Sequence, residues 1–127
     1  CRSVPDIFEC EGEQAFRRIE TEAVRKCVLR VRSGCPTVVA LGGGAFVSEE
    51  NYELLEDHGV TVWLDCPFDV VCRRIEGCQQ RPLARDPERF CKLYEVRRVS
   101  YARADYRVDA ADGAEATADA IEALPIF

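Results

Sequence analysis

The sequence predicts an α/β protein built on a parallel sheet. Three short apolar runs rich in β-branched residues alternate along the chain with segments in which apolar residues recur every three or four positions. Glycines follow the first run directly, and an aspartate ends each of the other two. Because strands that alternate with helices are joined by right-handed crossovers, they form a parallel sheet covered on both faces. Such sheets bind ligands at the carboxyl ends of their strands, so we expect a ligand site beside the glycines.

Two helices and a strand are predicted at the start of the chain. Ser3 can cap a helix over residues 3–11, which a glycine follows. A longer amphipathic helix is predicted over residues 13–32, because its apolar residues recur at helical spacing and Gly34 ends the pattern. The β-branched run at residues 37–41 is typical of a buried strand that feeds a glycine turn.

The middle of the chain repeats this alternation. Ser48 can cap a helix that ends near His58 and Gly59. Residues 60–65 are predicted to form a second strand, and residues 67–76 a helix. The histidine lies at a helix end, where a cation is mildly favourable, and we assign it no catalytic part.

The last third of the chain begins with a polar, arginine-rich loop at residues 79–85. An aspartate–proline pair then starts a helix predicted over residues 86–104. Residues 106–109 form a third predicted strand, and the alanine-rich residues 114–124 a final helix.

Composition indicates one globular domain and excludes two classes of partner. The chain has 127 residues with 47% hydrophobic and 31% charged side chains, which is ordinary for a single folded domain. Its net charge of -6 argues against nucleic acid, since that binding depends on neutralising phosphates. No apolar run is long enough to cross a membrane. All but two of the 17 basic residues are arginines, which suit bidentate recognition of carboxylates and phosphates.

The eight cysteines predict free thiols in a reducing cytoplasm. The sequence contains no C-x-x-C and only one histidine, so zinc-finger and thioredoxin patterns are missing. Several cysteines lie in apolar periodic segments, where a cysteine acts as a small buried hydrophobe. The sequence also lacks methionine and opens at Cys1, so we expect the chain to be incomplete.

The glycine triplet at residues 42–44 allows close backbone approach, so its amides can face a ligand. A tight turn that simply clears a neighbouring element explains the triplet equally well. The sequence contains neither G-x-x-x-x-G-K-[ST] nor G-x-G-x-x-G, so it carries no nucleotide motif.

Asp65 ends an apolar strand, where P-loop enzymes place a magnesium-binding aspartate. The simpler interpretation, which we favour, is that it caps the helix beginning at Pro67. Asp109 also ends a strand, and we interpret it in the same way. Four arginines on separate segments are candidates for an anion site, although each alone is more typical of a solvated surface: Arg17, Arg74, Arg81 and Arg97.

Four segments, read in order, resemble the shikimate kinase family. They are CRSVPDIFECEGEQAFRRIETE at residues 1–22, ALGGGAFVSEEN at 40–51, RPLARDP at 81–87 and RRVSYARADYRVD at 97–109. The likeness covers almost the whole chain. It implies the P-loop nucleoside-phosphate-kinase fold, a three-layer parallel sheet whose N-terminal strands are missing here. It also implies one incomplete domain over residues 1–127 with a lid loop at about 78–91.

The activity that the resemblance implies is transfer of a phosphoryl group from ATP, with Mg²⁺, to the 3-hydroxyl of shikimate by a cytoplasmic monomer. By match of motif, Arg17 and Arg97 clamp the shikimate carboxylate, and a guanidinium fork suits that planar anion. The glycine triplet, Gly42, Gly43 and Gly44, lies at the substrate, to which Gly43 donates its N–H. Arg81 approaches the transferring phosphates and Arg74 lies against the adenine. No metal ligand is assigned to this chain.

In the family, a P-loop, the first strand and a substrate-binding D-x-D precede the segment where this chain begins. We therefore expect these residues alone neither to fold stably nor to phosphorylate a substrate. Two alternatives stay open from the sequence. One is another small-molecule kinase, such as a gluconate kinase, and the other is a non-catalytic shikimate-kinase-like protein that binds ligands or partners. The chain could also be one domain of a multifunctional protein.

Overall fold

The computed structural model of the protein describes residues 3–76 and 86–126, and the chain divides into two compact units, Cys1–Gly59 and Val60–Phe127. The first unit holds helices α1 (Val4–Arg32) and α2 (Glu49–Glu56). The second holds β1 (Val62–Asp65), α3 (Phe68–Ile75), α4 (Pro87–Tyr101), β2 (Tyr106–Asp109) and α5 (Ala114–Glu122).

Helix α1 begins at Ser3, the predicted N-cap, which forms a capping box with Asp6. The Ser3 hydroxyl accepts a hydrogen bond from the Asp6 N–H (3.3 Å), and the Asp6 carboxylate accepts one from the Ser3 N–H (3.2 Å). Gly12, with φ 85° and ψ 174°, interrupts the helix in the positive-φ region that favours glycine. The two helices predicted over residues 3–11 and 13–32 are thus confirmed as the two parts of α1.

Helix α2 packs against α1 and completes a small core. Its predicted N-cap is confirmed, because the Ser48 hydroxyl accepts a hydrogen bond from the Asn51 N–H at 3.4 Å. At its other end the ring Nδ1 of His58 lies 2.9 Å from the Leu54 carbonyl oxygen. Among residues 3–59, the buried ones are Ile7, Thr21, Val24, Val28, Ala45, Phe46 and Asn51.

The strand predicted over residues 37–41 is absent, and that prediction was wrong. These residues belong to neither a helix nor a strand, and Val38 is 101% exposed. A β-branched run becomes a strand only when a neighbouring strand satisfies its N–H and C=O groups. Within the described residues the sheet has two strands, β1 and β2, which pair with each other.

Strands β1 and β2 form a parallel pair, which confirms the predicted α/β class. The register joins Val62 to Tyr106 and Asp65 to Asp109, so both aspartates lie at the carboxyl ends of their strands. Helices α3 and α4 lie between the two strands in the chain, and α5 follows β2 and packs against it.

Most helix ends of the second unit follow local sequence signals. The Asp86 carboxylate accepts a hydrogen bond from the Arg89 N–H at 3.2 Å and Pro87 occupies the first turn of α4, as predicted. Helix α5 follows Gly113, whose φ of 102° favours glycine. The predicted loop at residues 79–85 lies outside the described residues, as do residues 78–85 of the predicted lid.

No helix in the described part of the chain is long and apolar enough to cross a membrane. The prediction of free thiols is confirmed for the six cysteines within the described ranges, Cys10, Cys27, Cys35, Cys66, Cys72 and Cys91.

Candidate functional site

Arg17 packs directly against the glycine triplet. A β-carbon at position 44 would lie 2.5 Å from Nη1, 2.6 Å from Nη2 and 2.7 Å from Cζ of Arg17. The guanidinium therefore fills the space that any side chain at Gly44 would need. At Gly42 the nearest neighbour, Oε2 of Glu20, would lie 3.6 Å from a β-carbon, which is an ordinary contact. Glycine is thus required at 44 for the close approach of Arg17.

Two carboxylates on the same helix flank the Arg17 guanidinium. Nη1 donates to Oε1 of Glu20 at 2.9 Å, and Nη2 lies 3.6 Å from Oε1 of Glu13. Their spacings of i,i+3 and i,i+4 place all three side chains on one face of α1. The Glu13 side chain is 69% exposed, whereas that of Glu20 is 13% exposed. Glu20 therefore fixes the guanidinium, whereas Nη2 has the longer and more exposed ion pair.

A depression of about 420 Å³ opens beside this guanidinium and is lined by Glu13, Gln14, Arg17 and Arg18. Two of these residues are arginines. Their charge and the forked donors of Arg17 suit a small carboxylate or phosphate.

The glycine triplet is held by a short turn and by one side chain of α2. The Ala45 N–H donates to the Gly42 carbonyl at 3.0 Å, which closes the turn. Nδ2 of Asn51 donates to the Ala45 carbonyl at 2.9 Å, and the Asn51 residue is 0% exposed. The buried amide of Asn51 thus holds the turn that contacts Arg17.

Two neighbouring arginines of α4 have different surroundings. Arg98 donates to Oδ1 of Asp65 (2.8 Å) and to the Tyr94 hydroxyl (3.0 Å). The half-buried Arg97 makes no hydrogen bond or ion pair to any residue within 3–76 and 86–126. It lies near Tyr101, since its charge opposes the rise that burial causes in the pKa of that hydroxyl. Arg97 therefore has N–H donors available for an anionic ligand. Arg98 uses its donors to hold Asp65 and Tyr94 together.

Asp65 is not a helix cap, which corrects the interpretation favoured from the sequence. Its carboxylate accepts one hydrogen bond from Arg98 and a second, at 2.6 Å, from Nε of Arg107. The N-cap of α3 is Pro67, which makes no side-chain capping bond. Two charge-assisted hydrogen bonds are stronger than one bond to a helix N–H, which explains the difference.

The two arginines that bind Asp65 also flank Trp63. Cζ of Arg98 lies 5.0 Å and Cζ of Arg107 lies 5.7 Å from the Trp63 ring centroid. The Tyr94 hydroxyl donates to the Cys66 carbonyl at 2.5 Å, which ties α4 to the end of β1. A cavity of about 250 Å³ opens here, lined by Asp65, Pro67, Arg98, Arg107 and Asp109.

Arg74 lies against the backbone that follows β2. Its Nη2 donates to the carbonyl oxygens of Ala110 (2.9 Å) and Ala111 (3.2 Å), and its side chain is exposed. Asp109 accepts a hydrogen bond from the Ala111 N–H at 2.8 Å, and α5 has Gly113 as its N-cap without a side-chain bond. The prediction that Asp109 caps a helix was therefore wrong, because its carboxylate closes a tighter local turn.

The structure thus joins Arg17 to the glycine triplet in the first unit. It places Arg74 and Arg97 in the second unit, on α3 and α4. Arg81 lies outside the described residues.

Four partners in these sites were not predicted from the sequence. Glu13 and Glu20 could have been found, because their spacing from Arg17 is that of helical ion pairs. Asn51 shares helical spacing with Leu54 and Leu55, which is a signal of an inward face. Arg107 gave no such signal, because its partner Asp65 lies 42 residues away.

The described residues do not fit a magnesium site. Within residues 3–76 and 86–126 no group of three or more His, Cys, Asp or Glu side chains could hold a metal ion. Both oxygens of Asp65 already accept hydrogen bonds from arginines. No metal ligand is therefore assigned to these residues.

Comparisons with known proteins agree on one family. The family model for shikimate kinase matches residues 1–125. The shikimate kinase of Synechococcus elongatus is 39% identical over 130 residues, covering 98% of this chain and 66% of the relative. That of Geobacter sulfurreducens is 42% identical over 112 residues, covering 86% and 60%. The chain thus spans about two thirds, or less, of the length of these curated relatives.

Two solved structures that match this chain are also shikimate kinases. The crystal structure of shikimate kinase from Aquifex aeolicus matches with a TM-score of 0.81 and 32% identity, over 94% of this chain and 70% of that one. Shikimate kinase from Acinetobacter baumannii in complex with shikimate matches with a TM-score of 0.82 and 28% identity, over 94% and 68%. The fold is that of the P-loop kinases. By both its sequence and its fold, the chain belongs to the shikimate kinase family.

Proposed function

We propose that this protein transfers the γ-phosphoryl group of ATP to the 3-hydroxyl of shikimate. The hydroxyl oxygen forms the new bond to phosphorus, the bond from phosphorus to ADP breaks, and the hydroxyl proton is released. Family membership supports the reaction, and a solved relative is described in complex with shikimate. The observation that carries the proposal is the packing of the Arg17 guanidinium against Gly44, beside an open depression.

Arg17 is proposed to bind the shikimate carboxylate. Glu20 holds Nη1, and the more exposed and more distant Glu13 leaves Nη2 able to exchange partners. A planar carboxylate matches the guanidinium fork, so binding there orients the ring as well as holding it. Gly44 packs against the same guanidinium. The triplet Gly42, Gly43 and Gly44 is therefore proposed to lie at the substrate, with the Gly43 N–H as a further donor to it.

Arg97 is proposed as the second carboxylate ligand. Its guanidinium makes no hydrogen bond or ion pair to any part of the chain that the structure describes. A half-buried cation that lacks a partner among the described residues can gain an anionic ligand without breaking an ion pair there. The neighbouring Arg98, which is bound to Asp65, is not proposed to touch substrate.

Two further arginines are proposed to serve ATP. Arg74 is assigned to the adenine, and Arg81 to the phosphates in transfer, where a guanidinium stabilises developing charge. Closure of a lid at residues 78–91 is proposed to exclude water from the reacting groups. Mg²⁺ is proposed as the companion of ATP, without a ligand assigned here. We also propose that residues 1–127 belong to one catalytic domain of a cytoplasmic monomer.

A kinetic experiment on the purified protein tests the proposal. Release of ADP is measured with shikimate, ATP and Mg²⁺, and the product is identified by phosphorus NMR. Arg17→Lys keeps the charge and removes the fork, so we expect KM for shikimate to rise by roughly one to two orders of magnitude. Arg25→Ala is the matched control, because Arg25 lies on the same helix and pairs with Glu22 and Glu50.

Three results would contradict the proposal. Phosphorylation of gluconate without phosphorylation of shikimate would indicate another small-molecule kinase. Binding of shikimate without turnover would indicate a non-catalytic binding protein. An equal effect of the substitutions at 17 and 25 would remove Arg17 from the substrate site.

A further inference from the structure

Asn51 is a buried polar residue to which the proposed reaction assigns no part. It lies on α2, it is 0% exposed, and its amide reaches the turn that carries the glycine triplet. Among fully buried side chains of the described residues it is the largest, and it is polar. Buried amides are retained in a core when their hydrogen bonds serve a purpose, because an apolar residue of similar size packs at lower cost.

The two ends of the Asn51 carboxamide have different surroundings. Nδ2 donates to the Ala45 carbonyl at 2.9 Å. Oδ1 is buried and makes no hydrogen bond within residues 3–76 and 86–126. An unsatisfied buried acceptor destabilises the fold. Within the described residues, the stabilising contribution of the Asn51 amide is therefore the bond from Nδ2 to the Ala45 carbonyl.

The bond to Ala45 acts on the residues that face Arg17. The Ala45 N–H donates to the Gly42 carbonyl at 3.0 Å, so holding Ala45 also holds the turn closed. Gly44 lies within this turn and directly against the Arg17 guanidinium. A continuous set of contacts therefore runs from Asn51 through Ala45 and Gly44 to Arg17.

We propose that Asn51 is a positioning residue of the substrate site. Its Nδ2 holds the turn at residues 42–45 so that the turn and the Arg17 guanidinium present one rigid surface to the substrate carboxylate. It acts through the backbone and does not touch substrate. This inference rests on the proposed function, which assigns shikimate to that surface.

Asn51→Leu removes the bond that holds the turn. Leucine has the same branched shape, with two methyl groups in place of the amide oxygen and nitrogen, so it removes the unsatisfied Oδ1 and also the bond to Ala45. The methyl groups are larger than the atoms that they replace in this buried site, so we expect a modest fall in Tm. The lost bond frees the turn, so we expect Kd for shikimate to rise about threefold to tenfold. Amide hydrogen exchange at residues 43–45 should accelerate by a similar factor.

Ser48→Ala is the matched control. The Ser48 hydroxyl caps the same helix by accepting a hydrogen bond from the Asn51 N–H, and it is not part of the bond from Nδ2 to Ala45. Its loss therefore weakens α2 and leaves the Nδ2 bond in place. Asn51→Asp is the second variant: its ionised carboxylate repels the Ala45 carbonyl, whereas its protonated form can donate to it. Burial raises the pKa of a carboxyl group at this position, so for this variant alone we expect shikimate binding to recover as the pH falls through that raised pKa.

The outcomes are distinct. The inference holds if Asn51→Leu weakens shikimate binding and accelerates exchange at residues 43–45 while Ser48→Ala does neither. It is overturned if both variants change exchange and Kd equally, or if Asn51→Leu changes neither. If the unmodified protein does not bind shikimate, the proposed function fails. Exchange at residues 43–45 then still decides whether Asn51 holds the turn.

Discussion

The Arg17 guanidinium occupies the position that a side chain on Gly44 would fill, with three of its atoms within 2.7 Å of where a β-carbon would lie. The arginine is the far end of a flexible side chain on α1, and the glycine belongs to a turn between helices. A side chain at position 44 would therefore displace the Arg17 guanidinium. The identity of residue 44 thus determines the position of that guanidinium, and it does not determine whether the backbone can fold.

Gly44→Ala and Gly42→Ala form a matched pair that tests this relationship. The methyl group at 44 displaces a flexible guanidinium, so we expect Tm to stay nearly unchanged while Kd for shikimate rises on the order of tenfold. The methyl group at 42 meets Oε2 of Glu20 at 3.6 Å and requires no displacement. We therefore expect near-normal binding for Gly42→Ala. Calorimetric titration and thermal unfolding of both variants are the measurements, and equal binding by the two would contradict the argument.

The two carboxylates beside Arg17 should have opposite effects on binding. Glu20 bonds Nη1 at 2.9 Å and is largely buried, so Glu20→Gln loosens the guanidinium and should raise Kd for shikimate about threefold to tenfold. Glu13 is exposed, lies 3.6 Å from Nη2 and competes with an incoming anion. Glu13→Gln should lower Kd by about twofold, since exposed ion pairs are weak.

Calorimetric titrations with shikimate at low and high salt test whether Glu13→Gln lowers Kd for the reason given. Added salt screens an exposed carboxylate, so the difference between Glu13→Gln and the unmodified protein should shrink as ionic strength rises. Weaker binding by Glu13→Gln at every salt concentration would show that Glu13 orients Arg17 rather than competing for it.

Helix starts could be predicted because their signals are local. Ser3, Ser48 and Asp86 each cap a helix through an N–H three residues ahead, as the sequence indicated. The strand predicted over residues 37–41 was wrong for the converse reason. A strand needs a partner strand elsewhere in the chain, and an apolar β-branched composition does not show whether one is present.

In the candidate site, too, local features could be predicted from the sequence and contacts between distant residues could not. Arg17 and the triplet were singled out from their motifs, but their direct contact joins residues on different elements and follows from the fold. Asp65 was interpreted as a cap because Pro67 lies two residues away, whereas its actual partners are 33 and 42 residues distant. Charge-assisted bonds between distant residues leave no periodic pattern in a sequence.

Asp65→Asn should destabilise the second unit. The Asp65 side chain is 8% exposed and neutralises two arginines that also flank Trp63. Because both arginines are partly exposed, water compensates some of the loss, and we expect the free energy of unfolding to fall by about 1–3 kcal/mol. Asp69→Asn is the control, since its pair with Arg73 at 3.5 Å is exposed on both sides and should contribute less than about 0.5 kcal/mol.

Urea unfolding of both variants measures the two effects. If Asp65 acts only on stability, shikimate turnover by the folded Asp65→Asn protein should stay within about twofold of normal. Equal midpoints for Asp65→Asn and Asp69→Asn would contradict the structural role assigned to this carboxylate.

Tyr101 should make stability fall at high pH. Burial raises the pKa of its hydroxyl above the ordinary value of 10.0, and the nearby charge of Arg97 only partly opposes this. Above pH 10 the unfolded chain therefore releases the Tyr101 proton while the folded chain keeps it. Since the folded state then binds more protons, the free energy of unfolding decreases as pH rises through the folded pKa.

The variant Tyr101→Phe tests this prediction. It keeps the ring beside Trp63, whose ring centroid lies 6.2 Å away, and it removes the ionisable hydroxyl. We expect Tm of the unmodified protein to fall more steeply above pH 10 than that of Tyr101→Phe, with the two curves parallel below it; parallel curves throughout would place the Tyr101 hydroxyl in water.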